Sequence, residues 1–113
     1  MGRLALTQGA YYLLTGLWAL VHIRSFQAVT GPKTDLWLVK TVGVLVSVIG
    51  GTLISGGARR RISPELKLLA SSSAAGLGAI DTVYAAKGRI APIYLADAVV
   101  EAILLMLWLR RRP

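Results

Sequence analysis

Four long apolar segments, separated by short polar connectors, dominate the pattern of hydrophobic and polar positions along the chain. They cover residues of about 4–23, 36–58, 65–86 and 92–109. The hydrocarbon core of a membrane is about 30 Å thick, so a helix that crosses it needs roughly 20 mainly apolar residues. Each segment has about that length. We therefore predict an all-α integral membrane bundle of four transmembrane helices, antiparallel in an up-down topology, in which residues 1–113 form a single membrane domain.

Residues typical of helix ends stand between these segments. Asp35 is suited to cap the second helix, and Ser63, which precedes a proline, is suited to begin the third. The adjacent glycines at 56–57 are expected to end the second helix, and Gly88 is expected to follow the third. The longest connector, residues 24–35, is interpreted as a simple connection, with a lid over a cavity as the alternative.

The composition fits a membrane protein better than a soluble one. Hydrophobic residues make up 55% of the chain and charged residues 16%, whereas about a quarter of the residues of a soluble domain are charged. The net charge of +8 does not indicate nucleic-acid binding, because the basic residues stand in short clusters between apolar segments and not on one solvated face. The chain has no cysteine, and its single histidine has no partner at a metal-binding spacing, so we predict no metal and no cofactor.

The distribution of Lys and Arg predicts the orientation, since cytoplasmic loops are enriched in positive charge. With four spans, the N-terminus, the second connector and the C-terminus lie on one side of the membrane. The basic residues of that side are Arg3, Arg59, Arg60, Arg61, Lys67, Arg110, Arg111 and Arg112. The smaller set on the other side consists of Arg24, Lys33, Lys40, Lys87 and Arg89. We therefore predict that both termini are cytoplasmic and that the protein lies in an inner or plasma membrane, with the lipid bilayer as a partner.

Small residues recur every four positions in two of the segments. Gly43, Ser47 and Gly51 follow this spacing in the second segment, and Ser72 and Gly76 follow it in the third. Such a spacing lets membrane helices approach one another closely. We interpret it as packing within the chain, with the interface of a homodimer as the alternative.

Four ionisable residues lie inside the apolar segments, where a charged side chain costs about 2.5–3.5 kcal/mol. They are Lys40, Asp81, Asp97 and Glu101. Counted along the helices from the extracytoplasmic side, the first three lie at nearly the same depth and Glu101 lies one turn deeper. One interpretation is an ion-pair network of Lys40 with either aspartate that only fixes helix register. Because one lysine cannot neutralise three acids, and unpaired carboxylates in a low-dielectric environment tend to bind protons, we favour a ligand-binding or proton-binding site with titratable carboxylates.

Aromatic side chains accompany these acids. One face of the first segment carries Tyr11, Tyr12, Trp18 and His22. In the later segments, Tyr84 can share a helix face with Asp81, and Tyr94 can share one with Asp97. Polar faces of membrane helices turn toward the interior of a bundle. We therefore predict a polar, aromatic-lined cavity in the extracytoplasmic half, to which all ten of these ionisable and aromatic residues contribute.

This cavity leads to three hypotheses about function. The first is a protein that binds a small lipophilic or cationic molecule, with proton-coupled transport as an extension. The second is an intramembrane acid–base enzyme acting on a lipid such as a sterol or isoprenoid, with Glu101, Asp97 and His22 as candidate catalytic residues. The third is an accessory or assembly subunit, whose ionisable residues would face outward toward a larger membrane complex.

Overall fold

The computed structural model describes residues 2–110, and this part of the chain is helical without any strand. Its helices are α1 (Gly2–Val21), α2 (Ile23–Thr30), α3 (Leu36–Ala58), α4 (Pro64–Ala86) and α5 (Ile93–Arg110). The all-α prediction is therefore confirmed. Two of the helices, α1 and α3, are long and apolar enough to cross a membrane. Arg111 and Arg112, which entered the prediction of orientation, lie outside the described residues.

The four long helices follow the predicted segments, and the first of them ends early. The bounds of α3 are the predicted ones, and those of α4 and α5 differ from the prediction by one residue. By contrast, α1 stops at Val21, and α2 occupies most of the connector predicted at 24–35. The break falls at His22, which has a non-helical φ of −140° and caps α2 by accepting a hydrogen bond at Nδ1 from the amide of Ser25, 3.3 Å away.

The C-terminal ends of α3 and α4 share one geometry. After α3, the amide of Arg60 donates to the carbonyl of Gly57 (3.2 Å), and the amide of Arg61 donates to that of Gly56 (2.9 Å). These two bonds form a Schellman motif, whose penultimate residue adopts a left-handed conformation. That residue is Arg60, with φ +55°, while Gly88 occupies the same position after α4 with φ +71°. The prediction that Gly56 and Gly57 end the helix is therefore wrong, because both lie within α3.

Three glycine pairs hold α1 against α3 in an antiparallel orientation. The pairs are Gly2 with Gly57, Gly9 with Gly50, and Gly16 with Gly43. Along each helix the glycines are seven residues apart, so they share one face. A Cβ atom added to Gly9 would lie 2.7 Å from the carbonyl oxygen of Gly50, and one added to Gly16 would lie 2.7 Å from that of Gly43. The two backbones are therefore in direct contact. Close packing of the second segment was predicted from its small residues, but the glycines that make the contact are spaced seven residues apart and not four.

The remaining small residues that we predicted to pack within the chain do not do so. A Cβ atom added to Gly51 or Gly76 would meet nothing within 4 Å, and Ser72 is exposed. The spacing of four thus selects the correct interface only at Gly43 and Ser47, whose hydroxyl lies beside Gly16. The reason is that the glycines of α3 that contact α1 are seven residues apart, whereas the predicted set was spaced four residues apart.

Packing is tightest at the end of the molecule where α1 and α4 begin, which we call the closed end. α4 packs mainly against α5, and the two helix pairs meet through buried side chains. The buried core consists of Leu4, Ala5, Tyr12, Leu53, Leu66, Ala70, Ala74, Leu104 and Trp108. Toward the other end, where α2 lies, the helices surround a cavity. We call this the open end.

A methyl group added at Gly50 is expected to destabilise the protein. Its carbon would lie 2.5 Å from the backbone nitrogen of Leu13, so the Gly50→Ala variant must push α1 away from α3. We expect the free energy of unfolding to fall by about 1–3 kcal/mol, as in other overpacked interiors, when measured by denaturation in detergent. Gly51→Ala is the matched control and should keep or slightly raise stability, because its methyl group meets open space. Equal losses in the two variants would contradict direct backbone contact.

Candidate functional site

A cavity of about 530 Å³ opens among the helices at the open end. Each of the five helices contributes to its wall, and most of the wall is apolar. The apolar lining includes Ala19, Leu38, Val39, Val42, Val46, Leu77, Ile93 and Val100. Several of these side chains, among them Leu38, Val42 and Val100, are also exposed on the outside of the protein. The cavity therefore has an apolar rim between α3 and α5, two helices that both line it without being closely packed against each other.

Three carboxyl groups form the polar inner part of this cavity. They belong to Asp81, Asp97 and Glu101, and Glu101 is only 1% exposed. The hydroxyl of Tyr12 donates to Oε1 of Glu101 at 2.6 Å, and the hydroxyl of Tyr11 donates to Oδ1 of Asp97. Two of the acids are thus held by neutral donors of α1.

Asp81 differs from the other two acids. Its side chain is 6% exposed and lies beside Asp97 and Glu101. Its Oδ2 atom is buried and has no hydrogen-bond partner. A buried oxygen without a donor is unfavourable by about 1–3 kcal/mol, so this oxygen needs a proton, which the adjacent Asp97 can share, or a donor from water or from a bound molecule.

A second polar layer closes the cavity toward the closed end. The amide nitrogen of Gln8 donates to the carbonyl of Ala70 at 3.0 Å, and the indole of Trp108 donates to Oε1 of Gln8. Gln8 and Trp108 are both 0% exposed. This arrangement joins α1, α4 and α5 immediately below the acids.

The amphipathic helix α2 lines part of the cavity and lies in the connector for which a lid was the alternative interpretation. Phe26, Val29 and Thr30 of α2 line the cavity together with Lys33. The indole of Trp18 donates to the hydroxyl of Ser25 at 2.7 Å, and its ring packs edge-on against Phe26 with centroids 5.2 Å apart. These contacts fasten α2 to α1.

Lys33 supplies the positive charge of the cavity. Its Nζ lies 5.1 Å from the ring centroid of Tyr94 and 5.7 Å from that of Phe26, distances at which a cation is attracted to an aromatic face. The same atom donates to the carbonyls of Thr30 and Gly31, each at 3.2 Å. The ammonium group is therefore held beside α2 by aromatic rings and backbone oxygens.

Most of the predicted site residues meet at the cavity. Those that line it are Tyr11, Tyr12, Trp18, Asp81, Tyr94, Asp97 and Glu101. Three others, Lys40, Tyr84 and His22, are exposed and do not line it. Their placement corrects the sequence-based picture.

Each of the three exposed residues has a physical reason for its position. Lys40 lies on the outer flank of the glycine face of α3, and no ion pair joins it to Asp81 or Asp97. His22 interrupts the first helix and caps α2. Tyr84 stands in the last turn of α4, where Nζ of Lys87 lies 5.8 Å from its ring centroid.

Sequence reasoning missed the contribution of α2. Phe26, Val29, Thr30 and Lys33 are spaced as residues of one helix face, which was a signal for a short amphipathic helix inside the supposed connector. It was hidden because the segment is far shorter than a membrane span. Within residues 2–110, no group of three or more His, Asp and Glu side chains is arranged to hold a metal ion.

Comparisons with known proteins do not identify a family. No family model matches the chain, and neither a curated protein nor a solved structure matches it.

Removing the hydroxyl of Tyr12 is expected to destabilise the protein through Glu101. The Tyr12→Phe variant takes away the 2.6 Å donor and leaves a carboxyl oxygen buried without it, which lowers the free energy of unfolding by about 1–3 kcal/mol. Unfolding in detergent measures the loss, and Tyr84→Phe, at an exposed tyrosine, is the control. In a double-mutant cycle with Glu101→Gln, additive effects of the two changes would show that the pair is not coupled.

Proposed function

We propose that this chain is an integral membrane protein with four antiparallel spans that binds a small lipophilic molecule bearing a cationic or hydrogen-bond-donating group. α1, α3, α4 and α5 are the spans, both termini are cytoplasmic, and α2 lies at the extracytoplasmic surface. The observation that carries the proposal is an apolar cavity whose inner part holds three carboxyl groups, one of them with an unpartnered buried oxygen.

The distribution of polarity supports the placement of the helices in a membrane. Among the most buried side chains are Gln8 and Glu101, whereas large apolar side chains such as Leu14, Val48 and Met106 are 60% exposed or more. In water this arrangement would expose a large apolar surface and bury polar side chains at a high cost in free energy. In a bilayer the same arrangement is favourable, because the apolar side chains face lipid and the polar ones face each other.

The proposed topology is tested by labelling single cysteines, since the chain has none of its own. Arg59→Cys and Lys87→Cys introduce thiols at equivalent C-cap positions of α3 and α4, which lie at opposite ends of the molecule. In intact cells, a membrane-impermeant maleimide should label Cys at 87 and label Cys at 59 only after the membrane is opened. Labelling of both positions in intact cells would contradict the orientation.

The lining of the cavity defines the chemistry of the molecule it accommodates. The apolar walls favour a hydrocarbon body, and the rim between α3 and α5 would let such a molecule enter from the lipid. The polar end of the molecule would reach Asp81, Asp97 and Glu101, which are acceptors when ionised. A ligand with a positive charge or with N–H or O–H donors fits this end, and Tyr94 and Trp18 offer aromatic contact.

Binding of ethidium and pyrene tests this proposal. Ethidium is a lipophilic cation with two amino groups, and pyrene is a hydrocarbon without polar groups. We expect Asp81→Asn to weaken ethidium binding, measured by fluorescence in detergent, by roughly tenfold, since a charged hydrogen bond contributes about that factor. Pyrene binding should stay the same.

Asp35→Asn serves as the control for this measurement. It removes an acid that is exposed at the N-cap of α3 and does not line the cavity, so ethidium binding should be unchanged. The proposal would be contradicted if the unmodified protein and both variants bound ethidium with equal affinity.

A second candidate, an acid–base enzyme that acts on a lipid, is favoured by the apolar rim and the two tyrosine–carboxyl pairs. Glu101 or Asp97 would be the acid, and another carboxylate of the cavity would be the base, because His22 lies outside it. Such an enzyme would move protons to or from a carbon atom of its substrate, which a binding protein would not do. The third hypothesis, an assembly subunit, expects outward-facing acids and draws no support from the burial of Asp81 and Glu101.

A further inference from the structure

A second concave surface lies at the closed end, away from the cavity that holds the acids. It is a groove of about 540 Å³ between the end of α3 and the start of α4. The lining residues are Val48, Gly51, Thr52, Ser55, Gly56, Arg59, Arg61, Ser63 and Leu66. We call this the arginine groove.

The polar part of the arginine groove presents donors without a competing acid. Both guanidinium groups, of Arg59 and Arg61, are exposed, and within residues 2–110 neither makes a hydrogen bond or an ion pair. None of the five acidic residues of the chain lines the groove. The hydroxyl of Ser63 accepts from the amide of Leu66 at 3.1 Å, which leaves its own hydrogen free to donate outward. Guanidinium and hydroxyl groups that line one groove without a carboxylate are the kind of donors that bind phosphate.

The backbone turn after α3 brings the two arginines to the same groove. Because Arg60 adopts a left-handed conformation, the chain reverses within the Schellman motif. Arg59 and Arg61 line the groove as a result, and Arg60 between them does not. Three consecutive arginines are thus divided into two that face the groove and one that does not.

The apolar part of the groove continues from the arginines along α3. Gly51 and Val48 lie one and two turns nearer the middle of the helix than Ser55, and Leu66 forms the opposite wall. A Cβ atom added to Gly51 would meet nothing within 4 Å, so the missing side chain leaves a trough. Guanidinium groups at one end, which can bind an anionic group, and an apolar trough that leads toward the membrane interior match a phospholipid better than free phosphate.

We propose that the arginine groove binds an anionic phospholipid, with Arg59 and Arg61 holding the phosphate and an acyl chain lying in the trough at Gly51. The site is separate from the acid-lined cavity. It requires that the protein lie in a membrane and does not require that the cavity bind a ligand.

Lipid binding to the purified full-length chain in detergent tests the proposal, with native mass spectrometry as the readout. The probes are dioleoylphosphatidylglycerol, dioleoylphosphatidylcholine and inorganic phosphate. We expect the phosphatidylglycerol to bind most tightly, and Arg59→Gln or Arg61→Gln to weaken its binding by about tenfold. Arg60→Gly removes the same charge from the same loop, relieves the left-handed conformation, and should change affinity by less than about twofold.

A second pair of variants tests the trough independently of charge. Gly51→Leu should fill it and reduce binding of the phosphatidylglycerol, whereas Gly76→Leu, at another helical glycine that faces open space outside the groove, should not. Equal losses in the Arg59, Arg60 and Arg61 variants would overturn the site in favour of general electrostatic attraction. Equal binding of the two lipids would overturn it as well, and binding of inorganic phosphate as tight as that of the lipid would show a free-anion site.

Discussion

The backbone contact between α1 and α3 determines the direction in which every polar side chain of α1 points. Gly9 and Gly16 face α3 without side chains between the two backbones, so rotation of α1 about its axis would place a larger residue in the contact. With that face fixed, Tyr12 lies within roughly 60° of it and Tyr11 more than roughly 120° from it on the helical wheel. Both hydroxyls then point at α5, where the acids are. The geometry of the site therefore depends on the glycine contact, two residues of which, Gly16 and Gly43, also line the cavity.

Two of the three interior acids are held by neutral donors and not by cations. Tyr12 donates a hydrogen bond to Glu101, and Tyr11 donates one to Asp97. Lys33 instead contacts backbone oxygens and aromatic rings beside α2. A hydrogen bond to a neutral hydroxyl orients a carboxyl group without cancelling its charge. Tyr11 and Tyr12 therefore preorient two of the carboxyl groups as acceptors and supply no compensating positive charge.

Much of this fold could be predicted from the sequence, because hydrophobic runs of span length and helix-end residues give independent signals that agree. The inward acids could be predicted as well, since charge in an apolar segment turns away from lipid. Lys40 could not be placed by depth alone, because depth does not tell which side of a helix faces inward. The heptad of Gly43 and Gly50 contains that information. It puts Val39 and Val42 on the cavity side of the glycine face and Lys40 on the other.

The α2 helix illustrates a different limit of sequence reasoning. Phe26 of α2 and Lys33 in the loop after it are ordinary residues for a polar connector, and their role arises only when Trp18 and Tyr94 approach from two other helices. Such long-range contacts have no local signature. The break at His22 was equally hidden, because Val21 and Ile23 on either side continue the apolar pattern of α1.

The energetic cost of the acid cluster supports the proposed ligand-binding function. Replacing buried charged groups by apolar side chains of similar volume is often neutral or stabilising, so leucine at the positions of Asp81 and Glu101 would satisfy the packing of α4 and α5 at less cost. Register within the bundle is already set by the glycine pairs and by the bond of Gln8 to Ala70. The three carboxyl groups, which have no cationic partner beside them, are therefore not needed to fix the register of the helices. The proposed ligand would account for their burial by bringing a donor to Asp81.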